Sequence, residues 1–233
     1  MTWFTGWFGR GRVLSGDEAR AVERWRGTPQ PAQDRRADAA RLIVVDVESS
    51  GLDPARDRLL AIGAVALERG ALVLAQSLEV VIRQSAASSN DNILVHGIGG
   101  DAQRRGAPSA TALAAFLDFA QRDPLLAFHA PFDRTLIERA MRAQLGLRFG
   151  AVWLDLAWLA PAVCGERGER TSSLDHWLAA FGIENAERHN ALADATATAQ
   201  LALAVIAQAA ARGISTVAAL REAAEAQRWL GRR

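Results

Sequence analysis

The stretch LIVVDVESSGL, residues 42–52, carries two carboxylates at the end of an apolar run. Four apolar residues precede Asp46, one more separates it from Glu48, and two serines and a glycine follow. A continuous apolar run of this kind is typical of a strand that is buried on both faces. A carboxylate in such a place costs free energy unless it is paired, hydrogen-bonded or bound to a metal. The stretch therefore predicts a buried strand and indicates that its two acids have a partner.

The composition is that of a globular chain. Its 233 residues are 50% hydrophobic and 23% charged, which fits one domain with terminal additions. No unbroken apolar run is long enough to cross a bilayer, and the first residues lack the pattern of a secretory signal. With Cys164 as the single cysteine, we expect a reducing, cytoplasmic setting and no membrane association. All 27 basic residues are arginine and the net charge is +1, so any affinity for a polyanion must be local.

Outward from the opening stretch, strand and helix patterns alternate. The predicted strands span residues 41–47, 58–70, 71–83, 124–130 and the start of 151–160. The predicted helices span residues 17–27, 108–122, 132–146, the end of 151–160, 172–182, 191–213 and 215–231. This order predicts an α/β fold with a mixed sheet of about five strands flanked by helices.

Composition also divides the chain into three parts. Residues 1–40 combine aromatic residues, a short charged helix and a proline-containing linker, and we expect an N-terminal helical appendage. Residues 41–212 form the predicted main domain, and residues 213–233 form a C-terminal helix.

Asp46 and Glu48 are two residues apart on a strand, so their side chains project to the same side. Like charges repel each other, and a divalent cation between them relieves the repulsion when both are ionised. Mg²⁺ prefers a few carboxylates together with water. A strand that ends in Asp-x-Glu also occurs by chance, so the pair alone predicts a metal site only weakly.

Three further polar residues lie at the ends of predicted elements. Asp133 follows the fourth strand, Asp194 lies in the first turn of the helix at 191–213, and His189 precedes that helix. An acid in a first turn is ordinarily a partner of the helix dipole. Because sites in α/β sheets form outside the carboxyl ends of strands, we expect these residues to converge with the first two acids.

Three motifs, in this order, resemble those of the DEDDh family of 3′–5′ exonucleases, which includes the proofreading subunit of bacterial replicative polymerases. DVESSGL at 46–52 resembles the family's D-x-E-T-T-G-L, HAPFD at 129–133 resembles N-A-x-F-D, and HNALADA at 189–195 resembles H-x-A-L-x-D-A. VHGIGG at 95–100 matches a family segment between the first two motifs. The resemblance spans roughly residues 41–210 and implies a ribonuclease H-like sheet with extra terminal helical segments.

By this resemblance, four acids hold two divalent ions, Mg²⁺ or Mn²⁺, and a histidine takes the proton from the attacking water. The acids are Asp46, Glu48, Asp133 and Asp194, and the histidine is His189. The implied reaction is hydrolysis of the last phosphodiester at a 3′ end, which releases a nucleoside 5′-monophosphate. The resemblance places the terminal nucleotide against Ser49, Ser50, Gly51, Leu52, Asp91, His96 and Phe132.

The chain departs from the family pattern at several positions. Ser49 and Ser50 stand where the family has threonines, which keeps the hydroxyls but frees their side-chain torsions. His129 replaces the asparagine of the second motif, and Pro131 removes a backbone donor nearby. No predicted metal ligand is deleted, so we expect activity to persist while the substrate preference stays open. Asp155 matches an acid of the family scaffold, and we expect it to be structural.

The leading prediction is an exonuclease that acts on 3′ ends of single-stranded DNA, in replication or repair. An exoribonuclease is the alternative within the same class, because contacts to a 2′-hydroxyl are not legible in a sequence. Another alternative is a proofreading or binding subunit that docks a polymerase or other protein through residues 1–40 or 213–233. A homologue that only binds is disfavoured by the intact set of acids.

Overall fold

In a computed structural model, which describes residues 13–89, 93–94, 97–165, 173–185 and 187–231, the chain folds around a five-stranded sheet. The strands are β1 (Arg41–Ser49), β2 (Leu59–Glu68), β3 (Ala71–Val81), β4 (Leu125–Ala127) and β5 (Trp153–Asp155). Their order is β3-β2-β1-β4-β5, with antiparallel pairing among the first three and parallel pairing of β1 with β4 and of β4 with β5. The predicted α/β class and mixed sheet are confirmed.

Eight helices among the described residues flank this sheet. They are α1 (Gly16–Gly27), α2 (Gly100–Arg105), α3 (Ser109–Ala120), α4 (Ala130–Leu145), α5 (Leu156–Cys164), α6 (Leu174–Ala180), α7 (Ala191–Ala211) and α8 (Val217–Leu230). Most of them begin at a residue whose side chain accepts a hydrogen bond from a first-turn N–H. These capping residues are Ser15, Asp155, Ser173, Asn190 and Thr216.

Strand β1 is central because its residues are apolar on both faces. Leu42 and Val44 belong to one buried cluster, which α5, α6, α7 and α8 complete. Ile43 and Val45 belong to a second cluster, on the side of α1, α3 and α4. All four are essentially buried, and each such side chain stabilises the fold by about 1.5–3 kcal/mol.

Helix α7 packs on β1 and β2 with its first turn pressed against the sheet. Gly63 of β2 makes this approach possible, since an alanine methyl there would overlap the carbonyl group of Ala191 and the amide of Leu192. Gly63 lies opposite Asp46 in the β1–β2 ladder, so the start of α7 lies beside that acid. By length and composition alone this is a helix that could cross a membrane, but it is mostly buried inside the fold, as a core helix is.

The segments on either side of the predicted main domain pack against it. Trp25 of α1 is buried, with its ring centroid 5.2 Å from that of Phe149. Val217 and Leu220 of α8 are buried in the cluster shared with β1. The division into residues 1–40, 41–212 and 213–233 stays a prediction, because packing alone does not decide where an independent folding unit ends.

Several predicted boundaries are wrong. Strand β4 has three residues rather than the seven of 124–130, because His129 adopts a left-handed backbone (φ 63°) and α4 already begins at Ala130. Helix α2 is not predicted by the sequence, since its six residues lack a sustained apolar period. Pro108 precedes the first residue of α3 instead of lying in its first turn. Asp91 and His96 lie outside the described residues.

Candidate active site

The carboxyl end of β1 carries Asp46 and Glu48, as the sequence predicts. The ladder with β2 continues past both acids, and its register shifts between Glu48 and Ser49. Such a bulge bends the strand and redirects the side chains next to it. Glu48 is buried, while Asp46 is partly exposed at this edge of the sheet.

Asp194 reaches the same place from the first turn of α7. Asn190 fixes the start of this helix by accepting a hydrogen bond from the Ala193 N–H at 2.8 Å. Three donors then hold the buried Asp194 carboxylate. They are the side-chain amide of Asn185, the guanidinium of Arg188 and the backbone N–H of His189, the last at 3.1 Å. The acid is therefore oriented before any ligand arrives.

The carboxylates of Asp46, Glu48 and Asp194 each offer an oxygen within 4.8 Å of the other two. Asp133, in the first turn of α4, is buried and lines the same cavity, although it falls outside that close group. The cavity has a volume of about 540 Å³. The four predicted acids thus line one cavity, and three of them have carboxylate oxygens within 4.8 Å of one another.

Burial and the charge of neighbouring acids raise the pKa values of Asp46, Glu48 and Asp133. The pKa of Glu48 rises from 4.5 to about 9, first because burial removes water and then because Asp46 and Asp194 are near. Burial, reinforced by Asp194, raises the pKa of Asp46 well above its ordinary value. Burial also raises the pKa of Asp133, and the charge of Asp46 adds to the effect. Arg188 opposes the rise at Asp46 and Glu48 without cancelling it.

This donor set fits a divalent metal ion. Carboxylate oxygens are the hard ligands that Mg²⁺ and Mn²⁺ prefer. A cation among them would also offset the mutual repulsion of these carboxylates. The close group of Asp46, Glu48 and Asp194 could therefore bind such an ion, and the four-acid site stays a prediction.

Arg188 is a site residue that our sequence analysis missed. Its Nε lies 2.6 Å from Asp175 Oδ1, in the first turn of α6, and its Nη1 pairs with Asp194. It is partly exposed and lines the acidic cavity. The available signal was an arginine directly before the motif at 189–195.

His189 lies on the exposed rim of the acidic cavity. Its backbone is left-handed (φ 64°), a conformation that costs a non-glycine residue roughly 1–3 kcal/mol and often marks functional sites. The hydrogen bond from its N–H to Asp194 ties this residue to the acids. The imidazole is thereby placed beside the carboxylates while it stays open to water.

Two serine hydroxyls stabilise the turn at the end of β1. Ser49 Oγ donates to the Gly51 carbonyl at 2.6 Å, and Ser50 Oγ donates to the Asp57 carboxylate at 3.0 Å. A methyl group on Gly51 would lie 2.6 Å from an Asp57 oxygen, so the Asp57 side chain would have to shift to admit any larger residue here. Leu52 is 92% exposed and lines the acidic cavity.

Two residues of the second motif line the acidic cavity, whereas Asp155 supports a helix. Phe132 is partly buried and His129 is exposed, and both line the acidic cavity. Asp155 caps α5 by accepting a hydrogen bond from the Ala157 N–H at 3.2 Å, which is a structural task. The substrate contacts assigned to Asp91 and His96 stay predictions, as do the roles of the other site residues.

One family model and several relatives match this chain. The family model described as exonuclease matches residues 43–202. A DNA polymerase III PolC-type protein of Thermotoga petrophila is 28% identical over 170 residues, which are 73% of this chain and 12% of the relative. A DNA polymerase III subunit epsilon-like protein of Rhodobacter capsulatus is 30% identical over 198 residues, 84% of this chain and 28% of the relative. An oligoribonuclease of Shewanella amazonensis is 34% identical over 102 residues, 41% of this chain and 53% of the relative.

The chain therefore spans well under two thirds of the length of these relatives. Among solved structures, E. coli Exonuclease I in complex with a dT13 oligonucleotide is similar with a TM-score of 0.60 and 19% identity. That match covers 73% of this chain and 42% of the other. Exonuclease X in complex with 5′ overhanging duplex DNA gives a TM-score of 0.62 at 15% identity, covering 78% and 99% of the two chains. At these identities the likeness shows the fold, and it confirms the predicted ribonuclease H-like sheet.

Proposed function

The chain belongs to the exonuclease family, whose model covers residues 43–202, and on this premise we propose that it is a metal-dependent 3′–5′ exonuclease. The proposed substrate is the 3′ end of single-stranded DNA, and the proposed product is a nucleoside 5′-monophosphate. The observation that carries this proposal is the convergence of Asp46, Glu48 and Asp194 within 4.8 Å at the end of β1.

We propose that two ions, Mg²⁺ or Mn²⁺, are held by Asp46, Glu48, Asp133 and Asp194. Such a pair of ions, when bound, stabilises the charge on the attacking and leaving oxygens of an in-line displacement. The chain's own part is to bring the four carboxylates together. Strand β1 fixes the first two, and the first turns of α4 and α7 fix the others.

His189 is the proposed general base. Histidine changes its protonation near neutral pH, and this one is exposed on the rim of the acidic cavity, where water can reach it. The imidazole takes a proton from the attacking water, whose oxygen then bonds to the terminal phosphorus. The bond from phosphorus to the 3′-oxygen of the preceding nucleotide breaks, and that oxygen leaves with the shortened strand.

Residues on the rim of the acidic cavity can contact a terminal nucleotide. Leu52 is 92% exposed there, and Phe132 offers an aromatic ring on which a base can stack. We propose that the turn at Ser49, Ser50 and Gly51 contacts the sugar. Since both hydroxyls already serve the turn, its backbone groups are the better placed contacts. The dT13 strand bound by Exonuclease I favours single-stranded DNA as the first substrate to test.

RNA is the second candidate substrate. The identity of 34% to an oligoribonuclease favours it, over 41% of this chain.

The names of the two polymerase relatives support association with a polymerase, which we propose to involve residues 1–40 or 213–233. A cytoplasmic location is part of the same proposal.

The decisive assay compares strands labelled at either end. With Mg²⁺ or Mn²⁺, single-stranded DNA should shorten from its 3′ end to mononucleotides, and EDTA should stop the reaction. Parallel digestion of RNA and of paired ends ranks the substrates. Asp46→Asn and Asp194→Asn should lose activity by orders of magnitude while they stay folded, whereas Glu222→Gln, an exposed acid on α8, should act as the parent does. Full activity in EDTA would refute the mechanism.

His189→Gln tests whether His189 acts as the general base or as a metal ligand. We expect it to lose activity yet to bind Mn²⁺ as the parent does in calorimetry, because the carboxylates are untouched. A large loss of Mn²⁺ affinity would instead make His189 a metal ligand.

A further inference from the structure

A second cavity, of about 310 Å³, is lined by residues of α4, β5, α5 and α8. It shares no lining residue with the acidic cavity. Its volume falls at the lower end of the range for small-molecule sites, roughly 300–1,000 Å³. Its charged and aromatic lining residues include Arg134, Trp153, Asp155, Trp158, Arg221 and Arg228.

The two cavities are neighbours at one edge of the sheet. Strands β1, β4 and β5 run parallel, so their carboxyl ends lie at the same edge, where ligands of α/β sheets bind. The segment that follows β4 separates the cavities and contributes alternate residues to each. His129, Phe132 and Asp133 line the acidic cavity, and Ala130, Pro131 and Arg134 line the second one.

Three polar atoms of the second cavity's lining residues have no hydrogen-bond partner in the described part of the chain. They are Trp153 Nε1, Asp155 Oδ2 and Arg221 Nε, the last of which forms an ion pair with Glu225 Oε1 at 3.6 Å. Trp153 is only 8% exposed, and a buried polar group without a partner costs free energy. Trp153 Nε1 and Asp155 Oδ2, a donor and an acceptor, match a ligand that both accepts and donates hydrogen bonds, as the edge of a nucleobase does.

Three arginines line the second cavity, and two of them are already paired. Arg134 is paired with Glu138 at 2.9 Å, and Arg221 donates to Gln33 at 2.7 Å. The side chain of Arg228, by contrast, forms neither a hydrogen bond nor an ion pair with any residue that the structure describes, and its charge only offsets part of the rise that burial causes in the pKa of Asp155. A guanidinium in this state is suited to phosphate.

We propose that the second cavity binds one nucleotide, with its phosphate on Arg228 and its base against Trp158. Trp158 is partly exposed, and an indole ring stacks on any base. The proposal rests on the proposed nuclease function, which supplies nucleotides either as free product or as part of the strand. Both sources present the same phosphate and base.

The family match covers only part of this site. Arg221 and Arg228 come from α8, beyond the matched residues 43–202. The base-facing residues Trp153 and Trp158 lie inside the matched region. The second cavity therefore exists only where the C-terminal helix packs on the exonuclease domain.

Calorimetry of the full chain in EDTA tests this proposal, because EDTA removes the proposed catalytic ions. The probes are the four 5′-deoxymononucleotides, inorganic phosphate and a short single-stranded DNA. We expect nucleotide binding that Arg228→Ala and Trp158→Leu each weaken by about tenfold or more. Arg142→Ala, an exposed arginine of α4 outside the lining, should bind as the parent does. Arg228 is exposed, so its variant should fold, and melting curves verify this.

The different probes show whether the bound nucleotide is free product or part of the strand. Arg228-dependent binding of mononucleotides supports a product site, and Arg228-dependent binding of the strand alone supports a subsite for the strand. The proposal is overturned if no nucleotide probe binds, if phosphate binds as tightly as the nucleotides, or if both cavity variants bind like the parent. Nuclease activity is measured separately with Mg²⁺. Failure of the nucleotide-site proposal can then be distinguished from failure of the proposed nuclease function.

Discussion

Arg188 supplies positive charge to a crowded set of carboxylates. It pairs with Asp175 and Asp194, and it opposes the effect of burial on the pKa of Glu48. Three acids within 4.8 Å of one another need such a cation as long as no metal ion balances them. At the scale of single residues, stability and metal binding should therefore be linked through Arg188.

Arg188→Ala tests this link. Since the side chain is 31% exposed, we expect the variant to lose only about 1–2 kcal/mol of unfolding free energy in EDTA. Its melting temperature should fall by about 2–8 °C. Mg²⁺ should restore most of the loss, because the ion replaces the missing charge. Arg212→Ala, an exposed arginine after α7, should melt like the parent. An equal loss with and without Mg²⁺ would reduce Arg188 to a packing role.

Glu48 predicts a pH dependence of stability. Its pKa in the folded chain is about 9, against 4.5 ordinarily, so between these values the folded state holds a proton that the unfolded state has lost. Raising the pH through this window therefore destabilises the fold. In EDTA, the melting temperature of the parent should fall as the pH rises from about 5 to about 9.

Glu48→Gln keeps the shape of the side chain but cannot ionise, so its melting temperature should fall less over that range. The decline should not vanish, because Asp46 and Asp133 titrate in the same direction. Glu222→Gln serves as the control and should follow the parent curve. Identical slopes for the parent and Glu48→Gln would contradict the assignment.

At the scale of elements, the contact of α7 with β2 fixes two of the motifs in space. The start of α7 carries Asp194 and follows His189, and Gly63 lets it lie directly on the sheet beside Asp46. A side chain at Gly63 would push the helix away from the strand. The geometry of the acids thus depends on a glycine outside every motif.

Gly63→Ala should cost about 1–3 kcal/mol or more of unfolding free energy, because the methyl group overlaps backbone that cannot move aside. Activity at a temperature where the variant is folded should fall as well, since the α7 acid shifts away from the β1 acids. Gly150→Ala, where a methyl group meets open space, should leave both melting and activity nearly unchanged. Parent-like activity in folded Gly63→Ala would refute this coupling.

The sequence predicts those parts of the molecule that local pattern controls. The apolar run before Asp46 predicts β1, and the sequence also predicts a helix at 191–213, where α7 lies. The four acids are recognisable because each stands at the end of an element within a motif. Their arrival in one cavity follows from the parallel pairing of β1 and β4 and from the packing of α7.

The remainder depends on contacts between distant segments. Arg188 matters because α6 brings Asp175 within 2.6 Å of it, which no spacing reveals. His129 ends β4 early by a left-handed turn inside an apolar run that otherwise reads as strand. Gly63 looks like an ordinary strand residue until α7 is packed on it. Such features follow from tertiary structure rather than from periodicity.

On the scale of the whole molecule, the two terminal segments hold each other. The Ala37 N–H donates to the Ser215 carbonyl at 2.8 Å, and the Ala218 N–H donates to the Gln33 carbonyl at 2.8 Å. Arg221 adds a hydrogen bond to the Gln33 side chain. The linker before β1 and the helix after α7 therefore form one closure over the cluster that contains Leu42 and Val44.

Deleting residues 213–233 should open this closure. Val217 and Leu220 are buried, so their loss exposes apolar core and should lower the melting temperature strongly. Residues 33–37 lose their hydrogen-bond partners, and trypsin should cleave early at Arg35 or Arg36, as mass spectrometry of the fragments would show. A chain that ends at Gly231 keeps α8 whole and should resist cleavage as the parent does. If the shorter chain melts like the parent and resists trypsin, residues 41–212 are an independent domain and the closure contributes nothing.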